Sequence, residues 1–128
     1  MRGVFEPVFK ERPIKRAQET TDNTATTVYS IPIAEEQTMS VDVWGTVRSD
    51  DGAKNGTFKT TGLFYRNASG NVTSEDQHDI YTDYTSGATT DVTLEANTTT
   101  QAIDVKVTGE TSVNYSWKIN ISYEQVSY

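Results

Sequence analysis

The sequence of 128 residues has no cysteine and a single histidine, His78. These absences exclude disulfide frameworks, cysteine-based zinc or thiol chemistry and any metal site that needs several histidines. No apolar run approaches the roughly 20 residues of a membrane-spanning helix. The N-terminus also lacks the continuous apolar region of a signal peptide. We therefore expect no membrane partner, and synthesis in a cytoplasm.

Positive charge is scarce in most of the chain. Residues 1–16 carry five basic and two acidic side chains, a net charge of +3, whereas the whole chain carries −7. The remaining residues therefore carry −10. Phosphate binding requires clustered lysine and arginine, so this acidic body argues against nucleic acid as a partner.

What is abundant is threonine, with 21 residues, beside 10 serines and 13 aromatic residues. β-Branched and aromatic side chains favour strands over helices. Apolar residues alternate with polar ones from residue 26 onward, most clearly in the last strand, where one face holds Val113, Tyr115, Trp117, Ile119, Ile121 and Tyr123. About seven such runs separated by turn residues predict an all-β fold, an antiparallel β-sandwich or jelly-roll-like domain.

The first 25 residues differ from the rest. Pro7 and Pro13 disfavour helix, and a polar stretch follows at 17–25. We predict an extended N-terminal arm and linker over 1–25 and a β-sandwich over 26–128. The arm holds the candidate partner-binding residues, which are its apolar anchors and its cations: Phe5, Phe9, Lys10, Arg12, Ile14, Lys15 and Arg16.

The search for chemistry yields no catalytic constellation, no metal site and no cofactor motif, so we expect a protein that is not an enzyme. His78 lies in a charged run without a recognisable nucleophile. Residues 72–85 are acidic and are predicted to be irregular, with one short strand near Ile80. Their carboxylates Glu75, Asp76, Asp79 and Asp83 are interpreted as a solvated loop, with calcium binding as the alternative.

The two tryptophans have different expected roles. Trp117 falls on the apolar face of the last strand and is predicted to lie in the core rather than in a sugar-stacking platform. Trp44 is in phase with Asp42 and Thr46, on the polar side of its strand. It is therefore a candidate partner-binding residue, although a strand buried on both faces would also explain it.

Four segments together resemble a β-sandwich module of tailed-bacteriophage virion structural proteins. They are TTVYSIPIAEEQTMSVDVWGTVRSDDG, FYRNASGNVT, IDVKVTG and VNYSWKINISYEQV. The resemblance covers about residues 20–128 and rests on strand pattern and turn residues. It implies a non-enzymatic structural role in the virion, after synthesis in the host cytoplasm.

Within that resemblance we expect a capsid decoration or cement protein that binds the major capsid protein or another virion protein as a homo-oligomer. A separate arm and the lack of heptads or collagen-like repeats favour this role. We also expect the chain to be complete rather than the end of a fibre. The alternative is a tail or tail-fibre component that binds a host receptor through Trp44 and Tyr81 or Tyr84.

Overall fold

The computed structural model of the protein describes residues 12–85 and 87–128, and the described residues form eight strands. They are β1 (Ile14–Thr20), β2 (Thr26–Pro32), β3 (Gln37–Ser49), β4 (Asn55–Arg66), β5 (Thr73–Tyr84), β6 (Asp91–Asn97), β7 (Ala102–Thr108) and β8 (Tyr115–Ser127). The described part of the chain contains no helix that is long and apolar enough to cross a membrane.

The strands form two antiparallel sheets, which confirms the predicted all-β sandwich. A five-stranded sheet has the order β1-β8-β3-β4-β5, and a three-stranded sheet has the order β2-β7-β6. Strands distant in sequence are neighbours, because β1 pairs with β8 and β2 pairs with β7. The sandwich therefore has two open sides, one where β1 lies near β2 and one where β5 lies near β6.

The core lies between the inner faces of the two sheets. Trp117, Ile119 and Ile121 of β8 are at most 1% exposed, as the alternation of the last strand predicts. Trp117 packs at a tilt against Phe58, and its indole N–H donates to the Thr20 hydroxyl over 3.0 Å. Gly45 of β3 faces the same region. A Cβ atom there would lie 2.0 Å from the Lys118 carbonyl oxygen, so only glycine allows this close approach of β8.

The first strand begins earlier than the predicted domain boundary at residue 25. Ile14–Thr20 pairs along its whole length with β8, from Ile14 opposite Ile121 to Thr20 opposite Tyr115. Residues 14–20 are therefore part of the sandwich and not arm or linker. The sequence concealed this because the strand lies at an edge, where most of its side chains are exposed and polar.

The acidic stretch 72–85 is also more regular than predicted. Residues 73–84 form the twelve-residue edge strand β5, with irregularities in its pairing to β4 at two points. Ile80 and Glu75 are the extra residues at these bulges, so inward-facing positions fall at 74, 77, 79 and 82. At each bulge the next inward-facing residue therefore comes three positions later instead of two. This breaks the alternation of inward and outward residues by which a strand is recognised in a sequence.

Candidate protein interface

A group of uncompensated cations marks the side of the sandwich where β1 lies near β2. We call Arg12, Lys15 and Arg16 the basic side; all three are exposed. The Lys15 ammonium donates to the Asn120 amide oxygen over 3.0 Å, and the Arg16 guanidinium lies 4.6 Å from the centre of the Tyr29 ring. The ion pairs formed within residues 12–85 and 87–128 use other cations. The positive charge of this side is therefore available to a partner.

The contact between Arg16 and Tyr29 also has a structural role. Tyr29 belongs to β2, so the cation–π contact connects the edge strands of the two sheets. Ile14 is half-buried and packs against the core cluster. Its side chain serves the sandwich rather than projecting as an anchor on an arm, which differs from the role predicted from the sequence.

The other predicted arm residues, Phe5, Phe9 and Lys10, lie outside the described residues. Their candidate role in binding a partner stays a prediction from the sequence. Arg12, Lys15 and Arg16 are brought together at the start of β1.

Trp44 lies on the outer face of the five-stranded sheet, where the sequence placed it. The register forms a row across all five strands, which runs Lys15, Asn120, Trp44, Lys59 and Tyr81. The Asn120 amide fixes the middle of this row, since it accepts from Lys15 and donates to the Trp44 carbonyl over 3.3 Å. Trp44 is half-buried and Tyr81 is 48% exposed. The row offers aromatic and cationic groups on one flat surface.

The opposite side of the sandwich carries the opposite charge. We call the exposed edge formed by β5 and β6 the acidic side. These two strands contain no lysine or arginine but six carboxylates: Glu75, Asp76, Asp79, Asp83, Asp91 and Glu95. Two of them are paired, Asp76 with His78 at 3.0 Å and Glu95 with Lys106 at 2.8 Å. The exposed side chains of Ile80 and Tyr81 lie among the rest.

These carboxylates extend along strands instead of converging in a loop. Among the described residues no group of three or more histidine, cysteine or acidic side chains is placed to hold a metal ion. His78 is exposed on the outer face opposite Thr61. Its nearest charged partner is Asp76, which gives it a salt bridge when it is protonated.

Gln77 is a residue that no pattern in the sequence singles out. Its amide donates to the Thr60 hydroxyl over 2.9 Å and to the Val92 carbonyl over 3.2 Å, and it accepts from the Leu94 N–H over 3.1 Å. Val92 and Leu94 lie on β6, the edge of the smaller sheet. One side chain therefore occupies backbone groups that an edge strand otherwise leaves free for another chain.

Glu110 lies in the loop between β7 and β8 and links it to the loop between β3 and β4 and to the loop between β5 and β6. It accepts from the Lys54 ammonium and from the Thr89 N–H, each over 2.7 Å, and from the Tyr115 hydroxyl. Burial by itself would raise the pKa of Glu110, but the hydrogen bonds from Lys54, Tyr115 and Thr89 outweigh it and lower the pKa to about 2. Burial and the facing carboxylate raise the pKa of Tyr115. This group holds the loops in place with an ionised carboxylate.

No protein-family model and no curated protein sequence matches the chain. Among solved structures, the tailspike protein of Acinetobacter baumannii phage AM24 aligns with a TM-score of 0.41 and 11% identity, over 86% of this chain and 26% of that chain. The tailspike protein of Acinetobacter phage vB_ApiP_P1 aligns with a TM-score of 0.29 and 10% identity, over 91% of this chain and 21% of that chain. Similarity at this level establishes neither a shared fold nor a shared activity.

Proposed function

We propose that this chain is a non-enzymatic structural protein of a tailed-phage virion, and that its role is to decorate the capsid. In this role it attaches to the major capsid protein or another virion protein through residues 1–16. The observation that carries the proposal is the basic side, where three exposed cations form no ion pair with any carboxylate of residues 12–85 and 87–128. The resemblance of residues 20–128 to virion β-sandwich modules supports the same role.

Three kinds of contact are combined at this end of the chain. Phe5 and Phe9 offer apolar groups, and Lys10 adds charge next to Arg12. β1 is an edge strand that can pair with a strand of the partner, and the Arg16 and Gln18 side chains, which donate to the Lys15 and Glu19 carbonyls, would have to move aside for such pairing. Apolar anchors, strand pairing and charge complementarity then act together, and several copies in one oligomer strengthen the attachment.

A second candidate function is a tail or tail-fibre component that binds a host receptor. The observation in its favour is the row containing Trp44, Lys59 and Tyr81, which presents aromatic rings and a cation on the flat outer face. In this case the contact surface is the outer face, and residues 1–11 are dispensable for it.

The deletion of residues 2–11 separates the two functions. Because the deletion ends before β1, it leaves Ile14 and the contact between Arg16 and Tyr29 in place. We expect the shortened protein to unfold at an unchanged temperature and to lose co-sedimentation with phage particles that lack this protein. The matched control is Trp44→Ala in the full chain, which should still co-sediment. Retained binding by the shortened protein together with loss of binding by Trp44→Ala would contradict attachment through the N-terminal residues.

A further inference from the structure

We infer that the basic side of one copy docks against the acidic side of a second copy of this chain, in a head-to-tail arrangement. This inference rests on the proposed function, because it identifies a partner for part of the same attachment region. The basic side holds Arg12, Lys15 and Arg16 at the β1 edge of the five-stranded sheet, and the acidic side holds the carboxylates of β5, the other edge of that sheet, and of β6, the neighbouring edge of the smaller sheet.

Both sides carry charges that form no ion pair within residues 12–85 and 87–128, which leaves these charges free to attract each other between copies. Within the described residues, no carboxylate forms an ion pair with any of the three cations, and Glu75, Asp79 and Asp83 have no lysine, arginine or histidine partner. The acidic side also exposes Ile80 by 55% and Tyr81 by 48%. Apolar contact at these residues gives the docking a component that salt does not screen.

Charge selects the arrangement of the copies. A two-fold symmetric dimer through β5 would bring two acidic sides together, and this juxtaposition of like charges costs affinity. One through β1 would bring two sets of cations together, and Glu19 of each copy offsets only part of their repulsion. Contact between unlike sides is the most attractive arrangement, and such an interface is heterologous, so it forms a ring if the rotation between copies closes.

The direction of the strands is compatible with this contact. Along the order β1-β8-β3-β4-β5 every neighbouring pair is antiparallel, so β1 and β5 run in the same direction. Copies related by rotation about an axis along the strands keep that direction and place β5 of one beside β1 of the next. The two bulges of β5 interrupt a regular ladder, so side chains dominate the contact.

The other two sheet edges are less suited to docking. The Gln77 side chain occupies backbone groups of β6, and β2 has an irregularity between Thr27 and Tyr29 and ends at Pro32. Proline and bulges are features that natural proteins use to prevent pairing at an edge. The contact between copies therefore involves the exposed edges of the larger sheet.

The test uses the full chain and two double variants with reversed charge. Arg12→Glu/Lys15→Glu makes both sides acidic, and Asp79→Lys/Asp83→Lys balances the two unpaired carboxylates that remain on the acidic side with two lysines. We expect the wild-type protein to form oligomers by sedimentation velocity at low salt, with affinity that falls as salt is raised. Each double variant alone should associate at least roughly tenfold more weakly. An equimolar mixture of the two should associate again, because the unchanged basic side of one variant meets the unchanged acidic side of the other.

The control is a pair of reversals on the outer face of β3, Asp42→Lys and Arg48→Glu, because β3 is the central strand of the larger sheet and lies two strands away from both β1 and β5. These variants should sediment like the wild type. A wild-type protein that is monomeric at its highest soluble concentration, or a mixture that stays dissociated, would overturn the inference. Deletion of residues 2–11 should leave association intact. Virion binding and self-association are therefore measured separately, and failure of one can be distinguished from failure of the other.

Discussion

Replacement of Gln77 by alanine tests how the open side between β5 and β6 is held together. The change removes three hydrogen bonds and leaves the Val92 carbonyl and the Leu94 N–H without their side-chain partner. Each such bond contributes about 0.5–1.5 kcal/mol net. Gln77 is half-buried, so water replaces part of the loss. We expect Gln77→Ala to lower the free energy of unfolding by about 1–3 kcal/mol.

Urea unfolding at neutral pH measures this loss, and hydrogen exchange locates it. The Leu94 amide should exchange faster in Gln77→Ala, while amides of β3 keep their protection. Gln77→Glu can still accept from Leu94 but cannot donate to Val92, so it should also be destabilised. The control Thr82→Ala, an exposed residue of the same strand, should cost less than about 1 kcal/mol. A loss below about 0.5 kcal/mol in Gln77→Ala, with unchanged exchange at Leu94, would refute the reasoning.

Three further predictions concern the core, the buried carboxylate and metal binding. Ile119→Ala should lower the free energy of unfolding by about 2–5 kcal/mol in urea, because it empties a fully buried position. The pKa of Glu110 is lowered from 4.5 to about 2, so its contribution to stability is complete above pH 4.5 and declines as pH falls toward 2. The free energy of unfolding, measured across that pH range, should depend less on pH in Glu110→Gln than in the wild-type protein. An unaltered pH dependence would contradict the role given to Glu110. Millimolar calcium should leave the melting temperature unchanged once ionic strength is matched, since the carboxylates of residues 75–83 do not converge; a rise of several degrees would show a site.

The sequence predicted the elements whose side chains alternate between core and solvent. In β8 the inner positions are apolar and the outer ones polar, because that strand lies in the interior of a sheet with one face on the core. The same reasoning placed Trp117 in the core and Trp44 on the outer face. Burial on one side only is what produces the period of two.

The two edge strands of the larger sheet, β1 and β5, escaped prediction because less of their surface is buried. In β1 the inward positions include Arg16 and Gln18, which lie at the open side of the sandwich. In β5 the bulges at Glu75 and Ile80 shift the phase, and nine of its twelve side chains are exposed. The sequence indicates correctly that the charged side chains of both strands lie at the surface. Their positions at opposite edges of one sheet follow from pairings between residues that are distant in sequence.

The central claim is that this chain is a structural protein of the virion, and quantitative mass spectrometry of purified phage particles tests it most directly. The measured quantity is the number of copies of this chain relative to the major capsid protein. The account predicts a fixed ratio with many copies per particle, as capsid decoration requires. A few copies per particle would favour the tail component instead, and absence of the chain from purified particles would contradict the claim.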